Sequence, residues 1–172
     1  MLNTLTEQLR ESTDLNAEQV TEAVSQMTTE EVTPNVKAEF LTALAQKGET
    51  TEELAAFAGE LREMATAVPL DEVTREGEIL DVCGTGGDGL NTFNISTTVA
   101  ILCAAAGVTV AKHGNRAITS KSGSADVLDA LGIPTNLSPS GAASAIAEHG
   151  FAFLFAPLYH PAFKHIAPAR KL

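Results

Sequence analysis

The apolar positions of this chain change period part-way along it. In NAEQVTEAVSQM, Val20, Ala23, Val24 and Met27 recur at i, i+3, i+4 and i+7, one face of a helix, and Asn16 with Gln19 forms a capping box. TPNVKAEFLTALAQKG places Thr33 as N-cap, Pro34 at the first helical position and Gly48 at the stop. A third helix follows in TTEELAAFAGELREM, with Leu54, Phe57, Ala58, Leu61 and Met64 on one face and Gly59 weakening its middle by about 1 kcal/mol. Such short helices carry more apolar surface than a small lobe buries, so this part of the chain is expected to present a homodimer surface or to pack that face on the second lobe. VPLDEVTREGE, Val68 to Glu78, reads as a connection.

From Ile79 onward short apolar runs alternate with helical segments. EILDVC, VTVAKHG and FAFLFAP read as strands, and STTVAILCAAAG, SADVLDALG and SPSGAASAIAEHG as helices. This alternation predicts parallel strands joined by crossover helices, and the runs are apolar throughout, as for a sheet covered on both faces. The fold class is therefore α/β, with a helical domain over residues 1–70 and a parallel-sheet domain over residues 71–172.

Composition adds limits. With 172 residues and 44% hydrophobic content the chain can bury a real core. A net charge of −11 argues against a sequence-independent nucleic-acid partner. The acids concentrate before residue 78, whereas Lys112, Arg116, Lys121, Lys164, Arg170 and Lys171 make the second half locally basic. Cys83 and Cys103 lack CxxC spacing and read as buried reduced thiols. MLNTLTEQLREST has no apolar signal region and no run approaches a membrane span, so no membrane partner and a cytoplasmic location are expected.

Candidate chemistry gathers where the predicted strands end. GTGGDGLNTFNIST sets Gly84, Gly86, Gly87 and Gly89 ahead of Thr92, Asn94, Ser96 and Thr97. Glycines let backbone amides approach a ligand, and the helix that follows offers free N–H groups to an anion, so phosphate suits the loop. It is neither a Walker A nor a Rossmann loop. KHGNRAITSKSGSAD brings Lys112, His113, Asn115, Arg116, Ser120 and Ser124 to the same sheet edge. On the residues alone, Ser96 and Thr97 are phosphate contacts or N-caps, Lys112 and Arg116 are phosphate partners or solvated charges, and His113 bonds ligand or backbone. Asp126 suits the helix dipole at its first turn.

Together, DVCGTGGDGLNTFNIST, AKHGNRAITSKSGSADVLDALG and FLFAPLYHPAFKHIAPAR resemble the anthranilate phosphoribosyltransferase family. The resemblance implies transfer of a phosphoribosyl group from phosphoribosyl pyrophosphate (PRPP) to the amine of anthranilate, with Mg2+ as cofactor. It places Gly84, Gly87, Asp88, Thr92, Asn94, Ile95, Ser96, Thr97, Lys112, Asn115, Arg116, Ser120 and Ser124 at PRPP, with Ser96 also a magnesium contact. Gly84, His113, Asn115, Pro157, His160, Phe163 and Arg170 match the anthranilate path. No residue is assigned as catalytic acid or base. Ile118 and Thr119 depart from the small residues or serine usual in the family. Family chains are longer, which implies an α/β domain incomplete at its C-terminus and little turnover by this length alone. A PRPP-binding fragment without catalysis and a pyrimidine nucleoside phosphorylase-like enzyme are the alternatives.

Overall fold

The structure, a computed structural model, describes residues 1–84, 93–117 and 122–172. Its contacts divide the chain into a first unit of Met1–Ala65 with His160–Leu172 and a second unit of Thr66–Tyr159. The sequence places one boundary near residue 70; here the last thirteen residues also return to the helical unit.

The first unit holds α1 (Leu2–Arg10), α2 (Ala17–Met27), α3 (Pro34–Lys47) and α4 (Thr51–Glu63), followed at the far end of the chain by a short helix, Phe163–Ile166, and a 3-10 turn, Ala169–Lys171. The predicted stripe of α2 is buried at all four positions and packs with Leu2, Leu5 and Leu9 of α1, Phe40, Ala43 and Leu44 of α3, and Ile166. The capping box on α2 is present in full, whereas Thr33 precedes α3 without a side-chain cap bond. The predicted face of α4 divides. Phe57 and Leu61 pack against the core, Phe57 edge-on to Phe40 with ring centroids 6.5 Å apart, but Leu54 and Met64 are 56% and 42% exposed.

What α4 turns inward instead is a carboxylate. Glu53 Oε1 accepts the Leu15 amide at 2.8 Å, and Oε2 accepts the Thr50 amide and the Lys47 ammonium, each at 2.8 Å. Lys47 also reaches Asp14 at 2.7 Å and the Gly48 carbonyl at 2.8 Å. One buried ion pair thus joins the α1–α2 connection to the α3–α4 connection. Burial opposes ionisation of Glu53, but the bonds from Leu15, Lys47 and Thr50 outweigh it and hold the carboxyl below its usual range. Burial likewise opposes the charge on Lys47, and Asp14 and Glu53 override it.

The second unit contains α5 (Glu72–Glu76), α6 (Ile95–Ala105), β1 (Val110–Gly114), α7 (Ser124–Ala130), α8 (Pro139–His149), β2 (Phe151–Phe155) and α9 (Ala156–Tyr159). The connection predicted over 68–78 therefore includes one helical turn, started by Asp71, whose side chain accepts the Thr74 amide at 2.9 Å. β1 and β2 pair in parallel from Val110 opposite Phe151 to Gly114 opposite Phe155. Successive residues of β2 serve opposite faces: Ala152 packs with Ala142 and Ile146 of α8, and Phe153 with Ala125 and Leu128 of α7. Two helices thus cover the two sheet faces.

The strand expected over EILDVC is reduced to one parallel bridge, Leu80 to Val110. Leu80 donates to Thr109 O at 2.9 Å and accepts the Ala111 amide at 3.0 Å. Beyond it, side chains take the bonds of the ladder. The His113 amide goes to Asp81 Oδ1 at 3.1 Å, and the Val82 carbonyl accepts Lys112 Nζ at 2.7 Å. Among the described residues no helix is long and apolar enough to cross a membrane.

Removing one partner of a buried pair costs about 3–5 kcal/mol, so Glu53→Gln is expected to lower folding stability at pH 7 by about 3 kcal/mol in urea unfolding followed by circular dichroism. The folded pKa of Glu53 lies below its unfolded value of about 4.3. Its contribution is therefore complete above that value and lost as pH falls through the folded one. The gap between parent and variant should narrow in acid; a gap that does not change with pH would contradict this account.

Candidate functional site

The beginning of α6 and the end of β1 meet in the second unit. Asn94 is the N-cap of α6, so Ser96 and Thr97, at its second and third positions, are not caps. The Asn94 side chain does not cap the helix either: its Nδ2 donates to the Ser122 carbonyl at 3.2 Å, joining the first motif to the second. Thr97 Oγ1 is buried with no partner among the described residues. Ile95, at the first helical position, exposes its side chain.

Lys112 lies on β1 and is 1% exposed. Its ammonium donates to Val82 O at 2.7 Å, His113 O at 3.4 Å and Ser96 Oγ at 3.5 Å. Burial lowers its pKa, and Cys83 and Asp81 partly offset that. The solvated-charge alternative is therefore excluded for Lys112. Cys83 is exposed rather than buried, because it follows the single bridge residue where the ladder has already ended; its Sγ lies 3.9 Å from His113 Nδ1. Cys103 is half-buried on α6, and both thiols are free.

After β1 the second motif forms a narrow neck. Ser124 Oγ accepts the Asn115 amide at 3.2 Å and donates to the Asn115 carbonyl at 3.0 Å. A Cβ at Gly114 would run into this hydroxyl and the Phe153 ring. A Cβ at Gly123 would overlap the backbone of Arg116 and Ala117. Asp126, in the first turn of α7, accepts the Ala117 amide at 3.1 Å and the Gly123 amide at 2.8 Å on the same oxygen, Oδ2. The Gly123 and Ala117 amides, and then Arg116, hold its carboxyl below the ordinary range.

Arg116 is committed within the protein. Its guanidinium pairs with Asp126 at 3.0 Å and Asp129 at 2.8 Å and lies 5.9 Å from the centre of the Phe155 ring. The two carboxylates, Asp129 first, raise its pKa. Asp129 is itself held below its usual range by the Thr135 hydroxyl at 2.5 Å and by Arg116.

The structure thus brings Asn94, Ser96, Thr97, Lys112, His113, Asn115, Arg116 and Ser124 into one region of the second unit, with Gly84 following Cys83. Gly87, Asp88, Thr92 and Ser120 lie outside the described residues. Pro157 is exposed on α9 of the second unit. His160, Phe163 and Arg170 belong to the first unit, where the His160 and Phe163 rings meet edge to face at 6.0 Å and Arg170 is exposed in the terminal turn. The bridging role of Asp126 is one that sequence reasoning misses. Its signal is an acid three residues after Gly123, the N3 half of a capping box. Among the described residues no cluster of three or more His, Cys, Asp or Glu is placed to hold a metal.

Comparison with known proteins covers both parts of the chain. Residues 76–172 match the model of the glycosyl transferase family a/b domain, and residues 3–65 that family's helical bundle domain. Anthranilate phosphoribosyltransferase of Bacillus caldotenax is 46% identical over 171 residues, covering 99% of this chain and 69% of the relative. The crystal structure of anthranilate phosphoribosyltransferase from Thermus thermophilus is 41% identical and superposes with a TM-score of 0.84 over 97% of this chain and 50% of its own. That of Saccharomyces cerevisiae in complex with PRPP and Mg is 29% identical, also with a TM-score of 0.84, over 99% of this chain and 50% of its own. The chain spans about half the length of the first curated relatives it matches.

The neck makes a stability prediction that needs no ligand. Gly123→Ala forces backbone apart and is expected to cost about 1–3 kcal/mol in urea unfolding. Gly59→Ala, within α4 where a Cβ meets nothing within 4 Å, should gain about 0.5–1 kcal/mol. Equal stability of the Gly123 variant and the parent would show that the neck opens without cost.

Proposed function

Because this chain belongs to the anthranilate phosphoribosyltransferases of the glycosyl transferase family, we propose that it binds PRPP and transfers its phosphoribosyl group to the amine of anthranilate, releasing pyrophosphate in tryptophan biosynthesis. The observation that carries the reading is the meeting of the two motifs at the start of α6, through Asn94 to Ser122 and Lys112 to Ser96. The yeast neighbour in complex with PRPP and Mg supports it. Gly84, Gly87, Asp88, Thr92, Asn94, Ile95, Ser96, Thr97, Lys112, Asn115, Ser120 and Ser124 serve PRPP in this proposal, and Arg116 serves it by shaping the neck.

Cleaving the bond from ribose C1 to the diphosphate builds positive charge on the sugar and negative charge on the leaving group, as in glycoside cleavage. The protein's task is to stabilise the diphosphate and hold the amine in line. The helix start of α6 supplies amides, and Lys112 a cation held close by. Ser96 fits the protein side of a Mg2+ site: its hydroxyl is half-buried at this helix start, and Mg2+ usually keeps waters and substrate phosphates beside one or two protein ligands. When bound, the ion neutralises charge on the diphosphate. The amine of anthranilate is uncharged at neutral pH and attacks without a strong base.

Gly84, His113, Asn115, Pro157, His160, Phe163 and Arg170 serve anthranilate in this proposal, Arg170 pairing its carboxylate, since a guanidinium fork matches that planar anion. A homodimer through the N-terminal helices is proposed as well, supported by the exposure of Leu54 on α4 and of Met64 at its C-cap.

Titration calorimetry with PRPP and Mg2+ should detect binding, and loss of anthranilate fluorescence should report turnover. A charge-assisted contact is worth about 1.5–3 kcal/mol, so Arg170→Ala, made in a version extended to the length of the relatives, should raise the anthranilate KM about tenfold or more with the PRPP Kd unchanged. Absence of PRPP binding by the parent chain rejects the whole reading, and binding without turnover leaves a PRPP-binding protein. An unchanged KM removes Arg170 from the acceptor site. A parent chain that sediments as a monomer at high concentration rejects the dimer.

A further inference from the structure

The two backbone amides that flank the neck, those of Ala117 and Gly123, are donated to one oxygen of one carboxylate, Asp126 Oδ2. This is an unusual use of a helix first-turn acid. The Gly123 bond is the ordinary reach of an N3 side chain to its N-cap, but the Ala117 bond crosses to the segment that follows β1. The other oxygen, Oδ1, accepts Arg116 Nη1 at 3.0 Å. Three consecutive ties therefore close the neck: Ser124 on Asn115, Asp126 on Arg116, and Asp126 on Ala117. Gly123 lets the two backbones come close enough for one oxygen to span them.

We propose that Asp126 is a positioning residue for PRPP binding: its carboxylate staples the neck, and so sets where Asn115 and Ser124 stand relative to the start of α6. The inference rests on the reading of this region as a PRPP site. Asp126 itself touches no ligand in this account; its oxygens are already filled by the protein. The guanidinium of Arg116, paired on both sides, acts with Asp126 as part of the staple rather than as a free phosphate partner. Of the two functions of the carboxylate, accepting two amides and balancing one cation, the geometry puts the amides first, since the ion pair is half exposed and such pairs are weak.

Three variants separate these parts. In Asp126→Ala, hydrogen exchange at the Ala117 and Gly123 amides is expected to quicken at least about tenfold, and the PRPP Kd to rise about tenfold, with helical circular dichroism unchanged. Asp126→Asn keeps an acceptor oxygen without the charge and should retain most of the amide protection and most of the affinity. Asp129→Asn weakens the guanidinium pair while keeping an oxygen for the Thr135 hydroxyl, and should leave both amides protected. Amides in Asp126→Ala that exchange as in the parent, or a PRPP Kd that does not move, overturn the proposal. If Asp129→Asn frees the same two amides equally, the ion pair sets the neck and the assignment to Asp126 falls. A parent chain that binds no PRPP fails earlier and separately: it rejects the ligand assignment and the positioning role with it.

Discussion

Lys37, Glu53 and Lys112 are each no more than 2% exposed, and a charge removed from water has to be given partners. In each case at least one partner is a backbone group distant in sequence. Lys37 of α3 donates to the carbonyls of Thr29 at 2.6 Å and His165 at 3.0 Å, which ties the last residues of the chain to the helical unit. Burial lowers its pKa, with Glu30 opposing. Glu53 collects amides from two connections, and Lys112 holds the carbonyl of Val82 just before the glycine loop. The apolar core gives each unit its bulk, but these three ions decide how the connecting segments run over it.

The site depends on that arrangement. Because Lys112 and Asp81 take the bonds that a longer strand would have made, the chain leaves the sheet after Leu80, and Cys83 and Gly84 stand in solvent. The glycines of the second motif have a different task from that expected of a ligand loop: Gly114 and Gly123 are there for protein atoms, the Ser124 hydroxyl and Phe153 ring at one and the Arg116–Ala117 backbone at the other. Close approach, rather than a left-handed backbone, is what excludes a side chain at these two positions. The neck that results carries polar groups of both motifs to one helix start, where an anion is favoured by dipole and amides alike.

α6 stands apart from the other helices. Its mean composition is strongly apolar, and Ile95, Val99 and Leu102, at i, i+4 and i+7, are exposed along one side together with Phe93 just before it.

Much of this was legible in the chain itself. Local chemistry determines the helix limits: the capping box at Asn16, Pro34 at a helix start and Gly48 at a helix end act over a few residues and read the same in any context. The alternation of apolar runs with helical segments determines the parallel sheet, and the two motifs mark the edge at which a ligand would bind. What local pattern cannot hold is the partner of a side chain many residues away. That Leu54 faces outward while Glu53 faces in, that EILDVC pairs at one residue only, and that Arg116 is spent on Asp126 and Asp129 are decided by which polar groups tertiary packing brings within reach. Residues 160–172 carry no sign in their own pattern of where they dock. The buried ammonium of Lys37 and the core contacts of Ile166 settle it, because both are satisfied only when that segment lies against the helical unit.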